Sequence, residues 1–312
     1  MHDDVINAVL AQWGLDGAVE LPDAICGGSP NRVNARWAVG KDGSAFVLES
    51  LLAAKAGSRM RQASFLAELA RHGCSRINPW LPSISGQFGI HFGGVFWQLR
   101  RFANGDLTLP DSYSGDSWRG DALANFLLEL RDKSSSLMDD TPFLLSTYIP
   151  KVMHSIHHRN PALHEDLLPI QRELAPFLES EASFPKAFCH GDYHPQNIVW
   201  SNQGISAVID WEFCGMKTAM YDLATLLGCI GMDCPENFSG NLVTTLVRRL
   251  HDAGWGARES WRWLPECIAA SRIAWMREWC FMDNRDLMVQ ELDYIWLLLD
   301  NRDLLCRKFG GM

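Results

Sequence analysis

The stretch HGDYHPQNIVW, residues 190–200, places polar side chains at fixed offsets in front of a short apolar run. Asp192 and Asn197 are five residues apart, and Asp210 follows at the end of a second apolar run. The turn residues 203–204 separate the two runs, so the pattern predicts a β-hairpin. A hairpin would return Asp210 to the side of Asn197, so that two oxygen ligands face one hard cation. Mg²⁺ needs few protein oxygens when it also binds phosphate and water, and this pair fits it.

Protein kinases place the same residue types in the same order in their catalytic loop, H-R-D-x-x-x-x-N. In that loop the Asp accepts the proton of a hydroxyl group and the Asn binds metal. A later Asp joins the metal to the phosphates. Residues 190–197 keep the spacing from Asp to Asn, with Gly191 in place of the Arg. The pattern therefore favours phosphoryl transfer over other chemistries.

Three motifs in order resemble the aminoglycoside phosphotransferase and choline kinase superfamily, whose members phosphorylate small molecules. They are the loop H-G-D-x-H-x-x-N at 190–197, the strand end I-D-W-E at 209–212 and the helix start Y-D-L-A at 221–224. The resemblance implies an α+β, bilobal, protein-kinase-like fold with a small antiparallel-sheet N-lobe and a mostly helical C-lobe. It is most specific over residues 190–224.

The same resemblance implies a role for each polar residue. Asp192 would be the catalytic residue that positions the acceptor hydroxyl and takes its proton, while Asn197 and Asp210 would hold Mg²⁺ across the phosphates. We expect His190 to hydrogen-bond within the loop rather than to carry a proton, and Asp222 to anchor the loop without touching substrate. The implied reaction moves the γ-phosphate of ATP, with GTP not excluded, to a hydroxyl of an amino-sugar, an amino-alcohol or a similar small molecule.

The resemblance is looser upstream, where it concerns the nucleotide. Gly28 and Ser29 resemble part of the family's first strand pair, which covers the nucleotide phosphates. Residues 97–105 resemble the hinge, in which backbone groups near Arg101 and Ala103 would bond adenine. We therefore expect these four residues to contact the nucleotide.

One position departs from the family pattern. Relatives carry a Lys at the end of the second strand, where it holds the nucleotide phosphates, but this chain has Glu49 there. We expect a charge swap, in which Glu49 pairs with Arg59 or Arg61 and that arginine, Arg61 above all, meets the phosphates, since the guanidinium fork suits both tasks. The alternative is a pseudoenzyme that keeps the fold and acts as a nucleotide- or ligand-binding regulatory protein.

The chain changes character near residue 102. Before it, periodicity predicts strands over 32–39, 45–48, 88–92 and 95–101 and a helix over 59–72. After it, helical patterns dominate, over 118–130, 149–159, 163–178, 219–228 and 242–253, with two long helices within 260–309. We therefore expect an N-lobe over 1–102 that binds nucleotide, and a helical C-lobe over 103–312 with the catalytic loop and the acceptor site.

Two tryptophans in the C-terminal part are of interest for the acceptor. Trp275 and Trp279 lie one helical turn apart, and core packing is the default expectation for such a pair. The alternative is that they line the acceptor pocket and bind a cation through their ring faces.

Composition excludes several classes. The chain has 312 residues, 47% hydrophobic and 21% charged, which excludes disorder and a coiled coil as the main architecture. The net charge is −9, and the part after residue 102 is the acidic one. That balance argues against a nucleic-acid partner and slightly favours an amino-bearing acceptor. No apolar run approaches the roughly 18–20 residues that a membrane helix needs.

Cysteine usage bears on the compartment. The chain has nine cysteines with no C-x-x-C pair, so a disulfide framework or a structural zinc site is not expected. The acidic start of the chain, residues 1–4, does not resemble a secretory signal. We expect a cytoplasmic protein whose partners are a nucleotide and a small-molecule acceptor.

Overall fold

A computed structural model describes residues 2–22, 24, 33–137 and 141–310 of the chain. The described residues divide into two compact units, one within Met1–Thr108 and Gln196–Glu212, the other within Leu109–Pro195 and Phe213–Met312. The first unit thus takes a segment that begins inside the loop 190–197. The division into lobes at residue 102 stays a prediction.

Within the described residues, the strands belong to three antiparallel sheets. They are β1 (Val19–Glu20), β2 (Ala35–Lys41), β3 (Ser44–Leu52), β4 (Ile90–Phe92), β5 (Val95–Arg101), β6 (Lys186–Cys189), β7 (Ile198–Ser201), β8 (Gly204–Val208) and β9 (Gly215–Thr218). The first five form one sheet in the order β1-β2-β3-β5-β4, β6 pairs with β9, and β7 pairs with β8.

The five-stranded sheet of the first unit is built on the β2–β3 hairpin. Its turn residues Asp42 and Gly43 both have positive φ, 51° and 75°, as a tight two-residue hairpin turn requires. The turn fixes the register, so that Trp37 pairs with Leu48 and Arg36 with Glu49. Alternation then places Trp37 and Leu48 on one, apolar face, while Arg36 and Glu49 lie on the other. The apolar face packs in a core with residues 9, 10 and 15 near the N-terminus.

Helices dominate the second unit. The chain forms α1 (His2–Leu10), α2 (Ala56–Arg71), α3 (Ser117–Lys133), α4 (Leu145–Arg159), α5 (Pro161–Ser180), α6 (Tyr221–Asp233), α7 (Asn241–Asp252), α8 (Arg258–Arg262), α9 (Leu264–Phe281), α10 (Arg285–Asp300) and α11 (Arg302–Gly310). The buried helix α9 packs against α4, α6 and α10. Helices α3 and α7 approach closely at Gly120, where an added Cβ would lie 2.2 Å from the carbonyl oxygen of Leu242.

The long elements confirm the predicted periodicity, and the short ones differ from it. Strand β5 has the predicted bounds, and the helices predicted from 118 to 253 are all present with ends shifted by a few residues. The β6–β9 pair was not predicted, because four-residue strands carry no usable alternation. The strand predicted from residue 32 begins at Ala35 in the described residues. Over the described ranges, no helix is long and apolar enough to cross a membrane.

Candidate active site

The loop that carries Asp192 is held by a buried carboxylate in the second unit. Asp222, in the first turn of α6, accepts hydrogen bonds from the backbone N–H groups of His190 (2.7 Å) and Gly191 (2.8 Å). The backbone N–H of Asp192 donates to Nδ1 of His190 at 3.2 Å. The anchoring role expected for Asp222 and the hydrogen-bonding role expected for His190 are confirmed by these contacts.

Gly191 fits this loop for two physical reasons. Its φ of +86° lies in a region that L side chains rarely adopt. A Cβ there would also lie 2.2 Å from the carbonyl oxygen of Phe213 and 2.7 Å from Cε of Lys217. The backbone between His190 and Asp192 therefore turns where no side chain fits, and this turn sets the direction in which Asp192 leaves the loop.

Burial and charge act in opposite directions on Asp222. Burial raises the pKa of its carboxyl group above the ordinary value, while the His190 ring, the two backbone N–H groups and Lys217 act to lower that pKa. Lys217 is itself only 5% exposed. Its ammonium lies 4.3 Å from the ring centre of Phe143 and 5.1 Å from that of Tyr221. A buried cation therefore helps to keep the anchoring carboxylate charged.

Asp192 faces a histidine and a tyrosine in the same unit. Nε2 of His194 lies 3.6 Å from its carboxylate, and both side chains are mostly buried. Burial first, and then the charge of Asp192, raises the pKa of Tyr221 well above its ordinary value. The ring centres of His194 and Trp275 lie 6.0 Å apart with the rings nearly perpendicular. The ring centres of Trp275 and Trp279 lie 5.6 Å apart in a stacked arrangement. The two tryptophans thus lie beside the loop 190–197 and are only partly buried.

Asn197 and Asp210 lie at the same end of the β7–β8 hairpin in the first unit. The backbone N–H of Ile209 donates to the carbonyl of Asn197 at 2.9 Å, and the strands pair Ile198 with Val208. Both side chains are buried. Asp210 has a φ of 64°, a left-handed conformation that costs a non-glycine residue about 1 kcal/mol or more.

The segment after Asp210 is held by three side-chain contacts. The indole N–H of Trp211 donates to the carbonyl of Val208 at 2.8 Å. From α2, Arg59 makes an ion pair with the carboxylate of Glu212 at 3.2 Å, and the amide of Gln62 donates to the carbonyl of Glu212. Helix α2 therefore fixes the turn that presents Asp210.

The donor set at this hairpin end fits Mg²⁺. It offers one carboxylate and one amide, both hard oxygen donors, and Mg²⁺ is ordinarily held by one or two protein oxygens together with phosphate oxygens and water. In the part of the chain that the structure describes, no group of three or more His, Cys, Asp or Glu side chains could hold a metal ion. A site for a softer metal with several protein ligands is therefore not present in those residues.

Glu49 has partners other than the predicted ones. Its Oε1 accepts from Nε of Arg36 at 2.7 Å and from Nη2 of Arg100 at 3.1 Å. Burial alone would raise the pKa of Glu49, but Arg100 and Arg36 outweigh burial and hold that pKa at about 2. The Glu49 carboxylate is therefore charged and paired at neutral pH.

The charge swap predicted that Glu49 pairs with an arginine of helix α2, and this pairing is wrong. Neither Arg59 nor Arg61 makes an ion pair with Glu49, because the strand register brings Arg36 directly opposite Glu49. Arg59 pairs with Glu212 instead. The binding of Arg61 to phosphate stays a prediction, and its side chain is exposed on α2.

The other residues predicted to bind nucleotide are described in part. Gly28 and Ser29 lie outside the described residues. The carbonyl of Arg101 accepts from the side-chain amide of Asn78 at 3.2 Å, at the end of β5. Ala103 packs against the apolar cluster of the β7–β8 hairpin. Their predicted contact with adenine is not tested by these positions.

The sequence profile of the phosphotransferase enzyme family (APH) matches residues 29–264. The chain belongs to this family. Choline kinase LicA from Streptococcus pneumoniae is similar in structure, with a TM-score of 0.67 at 19% identity over 96% of this chain and 100% of that one. No curated protein matches the chain significantly.

Two further solved structures are similar to this phosphotransferase. An aminoglycoside phosphotransferase from Alicyclobacillus acidocaldarius has a TM-score of 0.62 at 13% identity, over 97% of this chain and 95% of that one. The amicoumacin kinase hAmiN, solved with AMP-PNP, Ca²⁺ and Ami, has a TM-score of 0.65 at 14% identity, over 96% and 92%. These similarities confirm the α+β fold, with an antiparallel sheet in the N-terminal part and helices in the C-terminal part.

Sequence reasoning missed Arg36, Arg100 and Lys217. The partner of Glu49 on β2 could have been found by counting back from the predicted turn, which pairs Arg36 with Glu49. Arg100 could not, because no short turn joins β3 to β5. Lys217 lies on β9, which carries no periodic signal.

Replacement of Gly191 by Ala tests the loop geometry. We expect Gly191→Ala to lower the free energy of unfolding by more than about 2 kcal/mol, because left-handed strain of about 1–2 kcal/mol adds to the clash with Phe213. Gly254→Ala is the matched control, since Gly254 also has positive φ but no atom within 4 Å of an added Cβ. Equal losses in denaturant unfolding for the two variants would contradict the predicted close contact.

The lowered pKa of Glu49 predicts that the stability of the protein depends on pH. Because the folded-state pKa is about 2 against an ordinary 4.5, its ion pairs stabilise the protein fully above about pH 4.5 and lose that effect as the pH falls toward 2. We expect Glu49→Gln to cost roughly 3 kcal/mol at pH 7 and clearly less at pH 3, as measured by urea unfolding. Glu179→Gln, at an exposed position of α5, serves as control, and an equal cost of Glu49→Gln at both pH values would refute the pairing.

Proposed function

We propose that this phosphotransferase moves the γ-phosphoryl group of ATP to a hydroxyl group of a small-molecule acceptor. The observation that carries the proposal is the loop at 190–192, in which Asp222 holds two successive backbone N–H groups and Gly191 turns the chain so that Asp192 is presented. The family membership supports the same chemistry.

Each side chain has a distinct task in this proposal. Asp192 orients the acceptor hydroxyl and takes its proton as the new bond to phosphorus forms. Asn197 and Asp210 would hold Mg²⁺, which when bound supplies charge neutralisation for the phosphates. Helix α2 keeps Asp210 in place through Arg59 and the Glu212 carboxylate. Positioning and charge neutralisation supply most of the rate, as is general for phosphoryl transfer.

The ligands of solved relatives guide our proposal for the donor nucleotide and for the class of acceptor. A spectinomycin phosphotransferase was solved with ADP, and an aminoglycoside 2′-phosphotransferase with GDP. ATP is the proposed donor, with GTP as the alternative. For the acceptor we propose an amino-sugar, an amino-alcohol or a similar compound, in keeping with the acidic C-terminal part. We further propose a cytoplasmic location.

A second candidate function is a regulatory protein that binds a ligand without catalysis. The observation that favours it is Glu49, which stands where relatives carry a lysine for the phosphates. The two proposals differ in turnover. A panel of aminoglycosides, amino-alcohols and sugars scored by ADP release separates them. Thermal shifts with Mg–ATP, Mg–GTP and Mg²⁺ alone report binding without turnover, because a ligand of the native state raises apparent stability.

Two substitutions separate the chemical step from binding. Asp192→Asn is expected to lower kcat at least about 100-fold, the size of a general-base contribution, with nucleotide affinity within a few-fold of wild type. Asp210→Ala is expected to weaken Mg–ATP binding itself. Turnover and calorimetric affinity are measured on both variants. Wild-type turnover in Asp192→Asn, with contaminating kinases excluded, would overturn the assignment.

A further inference from the structure

Four histidines gather where helix α4 ends and helix α5 begins. They are His154, His157 and His158 in the last two turns of α4 and His164 in the first turn of α5. Asn160 follows α4 directly, and its side chain caps α5 by accepting from the backbone N–H of Leu163 at 3.1 Å. The two helices are therefore joined by a single capped residue, which keeps the imidazole rings in one small region.

The four rings are arranged as two pairs. His154 and His158 are four residues apart, so their side chains lie one above the other on the same face of α4. Their ring centres are 4.5 Å apart, and their two Nε2 atoms are 3.2 Å apart. The ring of His157 lies 4.6 Å from that of His164 and 5.8 Å from that of His158. The pair of His154 and His158 therefore brings two ring nitrogens together.

The distance between these two Nε2 atoms fits two ligands of one metal ion. A bond of about 2.0–2.1 Å joins Zn²⁺ to a histidine nitrogen. Two such bonds place the nitrogens about 2.9 Å apart at a right angle and about 3.4 Å apart at the tetrahedral angle. The observed 3.2 Å lies between these values. A shared metal ion therefore requires at most rotation of the two rings, and the backbone of α4 can stay in place.

A hydrogen bond between the two rings is the competing explanation of this contact. One ring would donate its Nε2–H and the other would accept it, which a neutral imidazole pair can do. Both side chains are exposed, so water competes for each nitrogen and such a bond stabilises the helix only slightly. A metal ion in place of the shared proton binds both nitrogens at once, and the second bond forms within an already ordered helix.

The donor chemistry selects the class of ion. Imidazole nitrogen suits Zn²⁺, Ni²⁺ and Cu²⁺, whereas Mg²⁺ and Ca²⁺ prefer the oxygen donors that Asn197 and Asp210 offer. Within the described ranges no group of three or more His, Cys, Asp or Glu side chains could hold a metal ion. An ion on this pair therefore has two protein ligands, and its other positions are left to water or to a donor group of another molecule.

We propose that His154 and His158 form a surface site for one divalent transition-metal ion of the Zn²⁺ and Ni²⁺ class. The inference does not rest on the proposed phosphotransfer reaction, since neither residue belongs to the candidate active site. Helix α4 packs against α5 and α9. An ion that links two successive turns of α4 holds the end of this helix, and a metal that binds only the folded protein raises its apparent stability.

Isothermal titration calorimetry with NiCl₂ tests the site on the full chain without a histidine tag, in buffer free of imidazole. We expect His154→Gln and His158→Gln each to weaken the binding of Ni²⁺ at least about tenfold, because a single imidazole loses the advantage of two linked ligands. His157→Gln is the matched control at an exposed position of the same helix, and it should bind Ni²⁺ within twofold of wild type. Excess MgCl₂ should leave the Ni²⁺ affinity unchanged.

Anomalous diffraction from crystals grown with NiCl₂ locates the ion independently of affinity. We expect a peak about 2.0–2.1 Å from both Nε2 atoms in the wild-type protein and no peak at this position in His154→Gln. All three variants change exposed side chains, so they should fold as wild type does, which urea unfolding in the absence of metal checks. Wild-type Ni²⁺ affinity in His154→Gln or His158→Gln, equal losses in all three variants, or no saturable binding to the wild-type protein would overturn the proposal.

Discussion

The carboxylate of Asp222 accepts hydrogen bonds from the backbone N–H groups of His190 and Gly191, and the proposed chemistry depends on this contact. Two successive N–H groups that point at one carboxylate define the backbone plane of the loop. Because Asp222 lies in the first turn of the buried helix α6, its hydrogen bonds tie the loop to that helix and restrict the motion of the loop. Asp192 is then carried by a fixed support rather than by a free loop, as positioning catalysis requires.

The contact between Asp222 and the loop also explains why another charged group lies close to the loop. A buried carboxyl group accepts hydrogen bonds more strongly when it is ionised, and burial works against ionisation. The Lys217 ammonium, enclosed by the rings of Phe143 and Tyr221, offsets that cost. The first unit also contains a buried carboxylate that stays ionised, that of Glu49, and there two arginines keep it charged. A buried triad of this kind adds little stability compared with apolar side chains of similar volume.

Sequence reasoning succeeded where the residues that interact lie close together along the chain. The Asp-to-Asn spacing, the hairpin between Asn197 and Asp210 and the anchor at Asp222 all lie within one stretch of chain, and local pairing fixes them. It failed for Glu49, because the partner was sought on the following helix while the strand register brings Arg36 and Arg100 to it. Contacts between strands without a connecting turn carry no signature in a single sequence. The acceptor is unidentified for a related reason, since the side chains beside the loop, such as Trp275, share no motif.

Hydrogen exchange of the amide protons of His190 and Gly191 is the most direct measurement of the central contact. In the wild-type protein these two amides are expected to exchange slowly. In Asp222→Asn they should exchange at least tenfold faster relative to the amide of Ala224, which donates to the carbonyl of Met220 at the start of α6 and reports helix stability. Fast exchange of both loop amides in the wild-type protein, or unchanged relative rates in the variant, would contradict the anchoring of the loop 190–197 by Asp222.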